Sequence, residues 1–371
     1  MEENRVMNSV GKISIGFSRT TLKVIVLFQA ALLALIAFCA KRTVQSGDPI
    51  IYMIPNFLLF TPFPEVTQYV WSVLDPLSRL NEIKEPVPIG EIPREGFSME
   101  VMKECTEGWS EPCVARGVFA GTPALKNWGK KDYLSQSALR DFNVMYAEDA
   151  AVEYSIFGKN AAKFSELSSD IINGNSSISF LIPRGNETEN FKLAVNKLVH
   201  DDLELSYRVK DGFGLSPEVH KNLIRSQLIM GRGKSDMSST SGSDWHSEAP
   251  NNWFIQVIGT KRWYFLHPRY SSLMSPLRST NVIGVLVSSS RKKILNRFKY
   301  LPLSYVDLNE GDIINVPSWY WHTVLNGEGL TIGCPIRVFD LPAIFRNQVQ
   351  FSTILSLDFI LSKLGSFQKN T

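Results

Sequence analysis

The chain has few cysteines and few histidines, and this scarcity narrows the kinds of site that it can hold. Only four cysteines and five histidines occur among 371 residues. No CxxC pair is present, so a structural zinc site of the common paired-cysteine type is not expected.

Neither sign of charge is in large excess. The formal net charge is +3, charged residues make up 20% of the chain, and no run of like charges suggests a tail that binds polyanions. A nucleic-acid partner is therefore not expected. Hydrophobic residues make up 44%, which in a chain of this length indicates a globular protein with one large core or two modest ones.

Long uncharged runs are rare, and the clearest one lies near the N-terminus. Residues 24–40 carry no charge and are followed by Lys41-Arg42. Seventeen residues is the lower limit for a membrane-spanning helix. Basic residues before the segment slightly outnumber those after it, which favours a cytoplasmic N-terminus. We therefore predict a cytoplasmic tail (residues 1–23), a type II signal anchor (residues 24–40) and a luminal remainder, in the endoplasmic reticulum or Golgi.

Two alternatives remain for this segment. Ala37-Phe38-Cys39 is typical of a signal-peptide cleavage site, and cleavage would give a secreted protein. A buried core helix is the other reading. A second apolar stretch, residues 50–63, is interrupted by Pro55 and Pro62, and we assign it to a stem that covers residues 41–104.

Glycosylation sequons and cysteine positions agree with a luminal domain. Asn175-Ser176-Ser177 and Asn186-Glu187-Thr188 are acceptor sequences for N-glycosylation. Cys105 and Cys113 flank a turn-rich loop, where a disulfide and two free thiols are both compatible with the sequence. Cys334 lies in an apolar strand pattern and is predicted to be a buried free thiol.

The most informative motif is Asp244-Trp245-His246-Ser247-Glu248. In an extended strand, alternate side chains share a face, so His246 and Glu248 point the same way. Two imidazoles and one carboxylate form the facial triad of non-heme Fe(II) oxygenases. His322, which follows the aromatic run Trp319-Tyr320-Trp321, is the candidate for the third ligand.

The residues around this motif predict strands. Residues 251–258 and 261–266 read as two strands joined by a Gly259-Thr260 turn, and Gly311-Asp312 begins a third strand that Pro317 ends. Further strands are predicted at residues 142–146, 151–157 and 178–182, with helices at 161–172 and 189–200. Residues 231–243 are rich in serine and glycine and predict a surface loop beside the site. His200, His220 and His267 are interpreted as surface or structural residues.

These motifs together resemble the JmjC/cupin-like Fe(II)- and 2-oxoglutarate-dependent oxygenases, and in particular the small protein hydroxylases. Residues 112–118 and 122–128 also resemble that family's opening strand and turn, and the resemblance covers residues 112–338. It implies a mainly β fold with flanking helices, a double-stranded β-helix (jelly-roll) barrel over residues 105–340. A C-terminal helix over residues 341–371 would then serve as core or as a homodimer face.

The resemblance also implies a set of site residues. Fe(II) would be held by His246, Glu248 and His322, and the cosubstrate 2-oxoglutarate by Lys261 through its distal carboxylate. Asn252 would orient the cosubstrate, and Ser243 would replace a threonine of the family. The activity implied is hydroxylation of a protein side chain, so a protein substrate is expected. The simpler readings are an ordinary turn lysine at Lys261 and a metal-free polar cluster at the barrel mouth.

Two departures from the family pattern keep other functions open. The carboxylate is Glu248, where the hydroxylases use Asp and JmjC demethylases use Glu, and Gly333-Cys334 replaces a polar position near the cosubstrate. The alternatives are a non-catalytic cupin-like binding module and a JmjC demethylase or nucleic-acid hydroxylase. The low net charge and the N-terminal apolar segment argue against the latter. Four aromatic residues are predicted either to wall the cavity or to fill the barrel core: Trp253, Trp319, Tyr320 and Trp321.

Overall fold

The computed structural model describes residues 64–146, 160–175, 182–183, 188–209, 213, 224–233, 242–278, 284–348, 351–353 and 356. All of them belong to one compact unit, residues 54–371. The predicted tail (1–23), signal anchor (24–40) and first part of the stem lie outside the described residues. Within the described ranges, no helix combines the length and apolar character that a membrane crossing requires.

Strands dominate the described residues. They are β1 (Val87–Pro88), β2 (Gly90–Ile92), β3 (Cys113–Ala115), β4 (Asn143–Tyr146), β5 (Asn160–Lys163), β6 (Ile182–Pro183), β7 (Ile224–Ser226), β8 (Ile229–Gly233), β9 (Gly242–Glu248), β10 (Asn251–Ile258), β11 (Lys261–Leu266), β12 (Pro276–Arg278), β13 (Val285–Ser288), β14 (Ser304–Leu308), β15 (Ile313–Val316), β16 (Trp321–Asn326) and β17 (Gly329–Val338).

Short helices surround the strands. The α-helices are α1 (Pro64–Leu74), α2 (Met99–Cys105), α3 (Pro123–Asn127), α4 (Phe164–Asn173), α5 (Thr188–Asp202), α6 (Leu205–Arg208), α7 (Arg291–Arg297) and α8 (Leu341–Asn347). Four 3-10 helices cover Pro76–Arg79, Arg94–Gly96, Pro268–Met274 and Phe298–Tyr300.

The strands form two large sheets and a small one. The first sheet has the order β1-β14-β11-β16-β9-β13-β12, and the second has the order β2-β3-β15-β10-β17-β7, with β8 also paired to β17. The chain alternates between these sheets along β9, β10 and β11, and again from β14 to β17. This alternation is consistent with a cupin jelly-roll, so the predicted β-rich fold with flanking helices is confirmed.

The barrel interior lies between the two large sheets. Phe254 and Ile314 of the second sheet pack there against Trp263, Phe265 and Val324 of the first. The opposite face of the second sheet packs against helices. Trp253 and Ile255 of β10 share a hydrophobic core there with Phe164 of α4 and Val195 of α5. Strand β10 is therefore buried on both faces, which explains its nearly continuous burial.

The two central predicted strands have the predicted bounds. The turn between β10 and β11 requires Gly259, which has φ +71°. A Cβ atom at this position would lie 2.2 Å from the Leu330 carbonyl oxygen. No other residue type fits this turn without displacing β17.

Cys105 and Cys113 form a disulfide with a Cα–Cα distance of 6.0 Å, which resolves the two alternatives left by the sequence. The bond joins the end of α2 to the start of β3. Cys334 is a buried free thiol, as predicted.

Local pairing corrects several predicted elements. Residues 161–163, predicted as helix, belong to β5 because they pair with β4, and the helix begins at Phe164. Residues 231–233 and 242–243, predicted as loop, extend β8 and β9; residues 234–241 lie outside the described residues. The predicted strand at 151–157 also lies outside them.

The regions predicted as stem and C-terminal helix also take part in the domain. Within the stem, β1 pairs with β14 and β2 pairs with β3, so this region contributes a strand to each large sheet. The C-terminal region begins with α8, whose N-terminus is capped by Asp340. Helical structure continues at residues 351–353, and most later residues lie outside the described ones.

Candidate metal centre

The three predicted metal ligands lie together on two neighbouring strands. His246 and Glu248 are on β9, His322 is on β16, and the two histidines are directly opposite in the antiparallel pairing. One donor atom from each of the three side chains lies within 4.8 Å of the others. The centroids of the imidazole rings are 4.0 Å apart. The two-residue period of a strand thus places His246 and Glu248 on one face, as predicted.

The histidines have the tautomer that a metal requires. Nδ1 of His246 lies 2.8 Å from the Asp244 carbonyl oxygen, and Nδ1 of His322 lies 2.9 Å from that of Tyr320. A main-chain carbonyl can only accept, so each Nδ1 carries the proton and each Nε2 carries the lone pair. Burial, with a smaller effect from His246, lowers the pKa of His322 to about 3, and burial also lowers the pKa of His246. Both rings are therefore neutral near pH 7.

Glu248 is buried and held by two partners. Arg337 Nε donates to Glu248 Oε2 at 2.6 Å, and Asn252 Nδ2 donates to Oε1 at 2.9 Å. Burial raises the pKa of Glu248, but the Arg337 guanidinium, with smaller effects from His246 and His322, more than offsets burial and holds the pKa below its usual value. The carboxylate is thus ionised, and with about four acceptor positions it can serve Arg337, Asn252 and a metal together.

A strained loop fixes the separation between the ligand strands. Trp319 has φ +64°, a left-handed conformation that costs a bulky residue roughly 1–3 kcal/mol. Its N–H donates to the Glu248 carbonyl at 2.7 Å, and its carbonyl accepts from Ser247 Oγ at 2.8 Å. Its indole N–H donates to Ser352 Oγ at 2.9 Å. These bonds hold the end of β9 against the start of β16.

A narrow cavity of about 50 Å³ adjoins the triad. Its walls include all three residues predicted to bind the cosubstrate, Lys261, Asn252 and Ser243, together with two triad residues, His246 and His322. A volume of this size holds only a few water molecules, so a larger ligand requires side chains to move.

Lys261 is a buried basic residue that lines this cavity. Its ammonium group donates to Asn326 Oδ1 and lies 6.0 Å from the centroid of the Phe254 ring. Its side chain is almost fully buried, and burial lowers its pKa to about 7. Because no carboxylate of the described residues pairs with it, an anionic ligand would restore its positive charge.

Asn252 and Ser243 occupy different parts of the wall. Asn252 Oδ1 is buried without a hydrogen-bond partner among the described residues, while its Nδ2 supports Glu248. The Ser243 carbonyl accepts from Thr323 Oγ1 at 2.7 Å, which ties β9 to β16. Asn252 therefore links the metal ligand to the cavity directly.

The aromatic residues named from the sequence belong to the protein core. Trp253 packs on the helix side of the second sheet, Trp319 and Trp321 pack outside the first sheet, and Tyr320 lies in the barrel interior. Phe254 and Trp263 line the cavity in their place. Neither Trp263 nor Arg337 was singled out from the sequence. Each carries a hydrogen-bond donor in an otherwise apolar strand, and that contrast is the signal that could have revealed them.

The other histidines are structural or exposed. His267 Nδ1 accepts from the Arg269 N–H at 3.0 Å and caps the 3-10 helix that follows β11. His200 is exposed but bonds Ser206 at 2.7 Å and Asp201 at 3.2 Å. His220 lies outside the described residues.

Gly333 is explained by its neighbour across the sheet. A Cβ atom there would lie 2.2 Å from Phe254 Cζ and 2.6 Å from Phe254 Cε1. The Phe254 ring thus fills the space that a side chain at position 333 would use. This departure from the family pattern has a steric cause.

The donor set fits an Fe(II) ion held at three facial positions. Two neutral imidazoles with unprotonated Nε2 atoms and one ionised carboxylate offer donor atoms within 4.8 Å of one another, and each side chain is oriented by a further hydrogen bond. The buried cation Lys261 and the orphan acceptor Asn252 face the same cavity.

Comparison with known proteins agrees with this geometry. The model of the cupin-like domain family matches residues 99–335, which is more than half of the chain. The match begins at helix α2 and ends within strand β17. No curated protein matches the chain. With the β-rich fold and the clustered histidine and glutamate ligands, the chain belongs to the cupin-like domain family.

Proposed function

We propose that the protein is an Fe(II)- and 2-oxoglutarate-dependent oxygenase that hydroxylates a protein side chain in the secretory pathway. The observation that carries the proposal is the joint placement of a facial His-Glu-His cluster and a buried lysine around one cavity. Cupin-like domains of the JmjC type are commonly Fe(II)- and 2-oxoglutarate-dependent oxygenases.

Each residue of the site has a defined task under this proposal. His246, Glu248 and His322 would hold the iron, and Lys261 would neutralise the distal carboxylate of 2-oxoglutarate. Iron and 2-oxoglutarate, when bound, supply the oxidising power that hydroxylates a C–H bond. Arg337 and Asn252 keep Glu248 ionised and oriented, and the apolar neighbours Phe254 and Trp263 limit the entry of water.

One observation favours the alternative of a non-catalytic binding module. Arg337 pairs with Glu248 at 2.6 Å, and this ion pair balances the carboxylate charge, so the polar cluster is satisfied even without a metal. The small cavity volume points the same way. A binding module would keep the cavity and lose turnover.

Metal content and turnover separate these two functions. Full-length protein purified without oxygen should bind about one Fe(II) per chain and release succinate from 2-oxoglutarate when O2 is added. Glu248→Ala should do neither, since it leaves two ligands. No binding of Fe(II) or Mn(II) at micromolar metal would overturn the oxygenase and leave the non-catalytic binding module in its place. Binding of Fe(II) without succinate release would also assign the binding module.

The location in the secretory pathway is a separate part of the proposal. The uncharged segment at residues 24–40, the two sequons and the Cys105–Cys113 disulfide support it, because disulfides persist in oxidising compartments. Asn175 is exposed, as a glycosylated asparagine must be.

Glycosylation tests the location. Protein expressed in cells should lose apparent mass on treatment with an endoglycosidase, and Asn175→Gln combined with Asn186→Gln should abolish that shift. Full protease sensitivity of the domain in intact microsomes would show a cytosolic domain and contradict the luminal assignment.

A further inference from the structure

Trp263 has a buried hydrogen-bond donor that no described residue accepts from. The side chain is 2% exposed and lines the cavity beside the triad. Its Nε1–H has no hydrogen-bond partner among the described residues. Buried N–H groups are nearly always paired, so this one requires an explanation.

The strand pairing places Trp263 between the lysine end and the histidine end of the cavity. Lys261, Trp263 and Phe265 alternate along β11 and share its inward face. Across to β16, Lys261 is opposite Asn326, and Phe265 is opposite His322. A ligand that reaches from the triad to Lys261 must therefore pass the indole.

The indole is held in one orientation. Its ring stacks on His322 with centroids 5.4 Å apart and an interplanar angle of 24°, and the edge contact with Phe254 has a centroid distance of 5.0 Å. Because Trp263 is packed on these two sides, its N–H cannot turn toward a protein acceptor without disrupting both contacts.

The missing partner must be an acceptor. The indole N–H and the Lys261 ammonium are both donors only, and the Lys261 cation favours a negative charge beside it. A carboxylate has two oxygens and can accept from both residues at once. A ligand group that only donates, such as an ammonium, would leave the indole unpaired.

We infer that Trp263 Nε1–H and Lys261 Nζ together bind the distal carboxylate of a 2-oxo dicarboxylic acid, which makes Trp263 a specificity-determining residue of the site. The inference rests on the proposed function and adds a second donor to the lysine. The indole then selects for a dicarboxylate, since a ligand without the second carboxylate leaves the N–H unsatisfied.

Binding of 2-oxoglutarate to full-length, Mn(II)-loaded protein under anaerobic conditions tests the inference by calorimetry. Trp263→Phe should weaken 2-oxoglutarate binding roughly tenfold, the usual effect of losing one bond to a charged acceptor. Replacing the indole by its benzothiophene isostere, which keeps the ring size and removes the N–H, should do the same if Trp263→Phe fails to fold. Mn(II) affinity should stay unchanged in both.

A matched control and a second ligand sharpen the outcome. Trp321→Phe also removes a buried indole, but its N–H donates to Ser271 Oγ at 2.9 Å outside the cavity, so 2-oxoglutarate binding should be unchanged. Binding of 2-oxobutyrate, which lacks the distal carboxylate, should be equal in wild type and isostere. If the isostere binds 2-oxoglutarate as tightly as wild type does, the role of Trp263 is overturned and the proposed function still stands. If wild type binds no 2-oxoglutarate, both the role of Trp263 and the proposed function are overturned.

Discussion

His322→Ala is expected to weaken Fe(II) binding by more than roughly a hundredfold and to abolish metal-dependent turnover. Changes to groups that only orient a ligand already cost about ten- to a hundredfold in metal affinity, and removal of a ligand exceeds that. His322 is opposite His246 on the neighbouring strand, so the loss removes one side of the facial arrangement. Metal titration and succinate release measure the effect.

The barrel itself should survive this change, because its interior is filled by apolar side chains of both sheets. His267→Ala is the matched control, since His267 lies at the end of β11 and takes no part in the cluster. Glu248→Asp should keep part of the affinity, because it retains a carboxylate ligand and shortens the side chain by only one methylene. Equal Fe(II) affinity in His322→Ala and wild type would show that the metal, if any, binds elsewhere.

Lys261→Met is expected to weaken 2-oxoglutarate binding by roughly ten- to a hundredfold while the Fe(II) affinity stays the same. A charge-assisted hydrogen bond to a carboxylate contributes about 1.5–3 kcal/mol. Methionine keeps much of the apolar length of the buried side chain and removes only its ammonium group, so the packing around position 261 is largely preserved. Calorimetric titration with 2-oxoglutarate on Mn(II)-loaded protein measures the change.

The neighbouring residue provides the control for Lys261. Arg262 stands on the opposite face of β11 and forms an ion pair with Asp307 at 2.6 Å. Arg262→Met removes a cation from the same strand without touching the cavity, so it should leave 2-oxoglutarate binding intact. An unchanged 2-oxoglutarate affinity in Lys261→Met would return Lys261 to the simpler role of a buried strand residue.

Local pattern was sufficient to predict the central part of the fold. The bounds of β10 and β11 follow from apolar stretches separated by the Gly259-Thr260 turn, and the structure has the same bounds. The alternation of a strand likewise places His246 and Glu248 on one face. Such features depend on neighbours within a few residues, so the sequence records them directly.

Pairing between distant segments could not be predicted in this way. Arg337 reaches Glu248 across 89 residues of sequence, because β17 pairs with β10 and places Arg337 opposite Asn252. The short strand β5 was interpreted as helix for the same reason, since only its pairing with β4 makes it extended. The register between strands is a tertiary property. For Arg337, the local sign of a distant partner was its charge within an apolar strand.

The contact between Gly333 and Phe254 has a consequence for how this site changes during evolution. The two positions share one volume, so a side chain at 333 is compatible only with a smaller residue at 254. We therefore expect the two positions to covary among related cupin-like chains, with glycine at 333 accompanying a large aromatic residue at 254. A polar residue at 333 beside alanine or valine at 254 would widen the cavity next to Lys261 and admit bulkier anions.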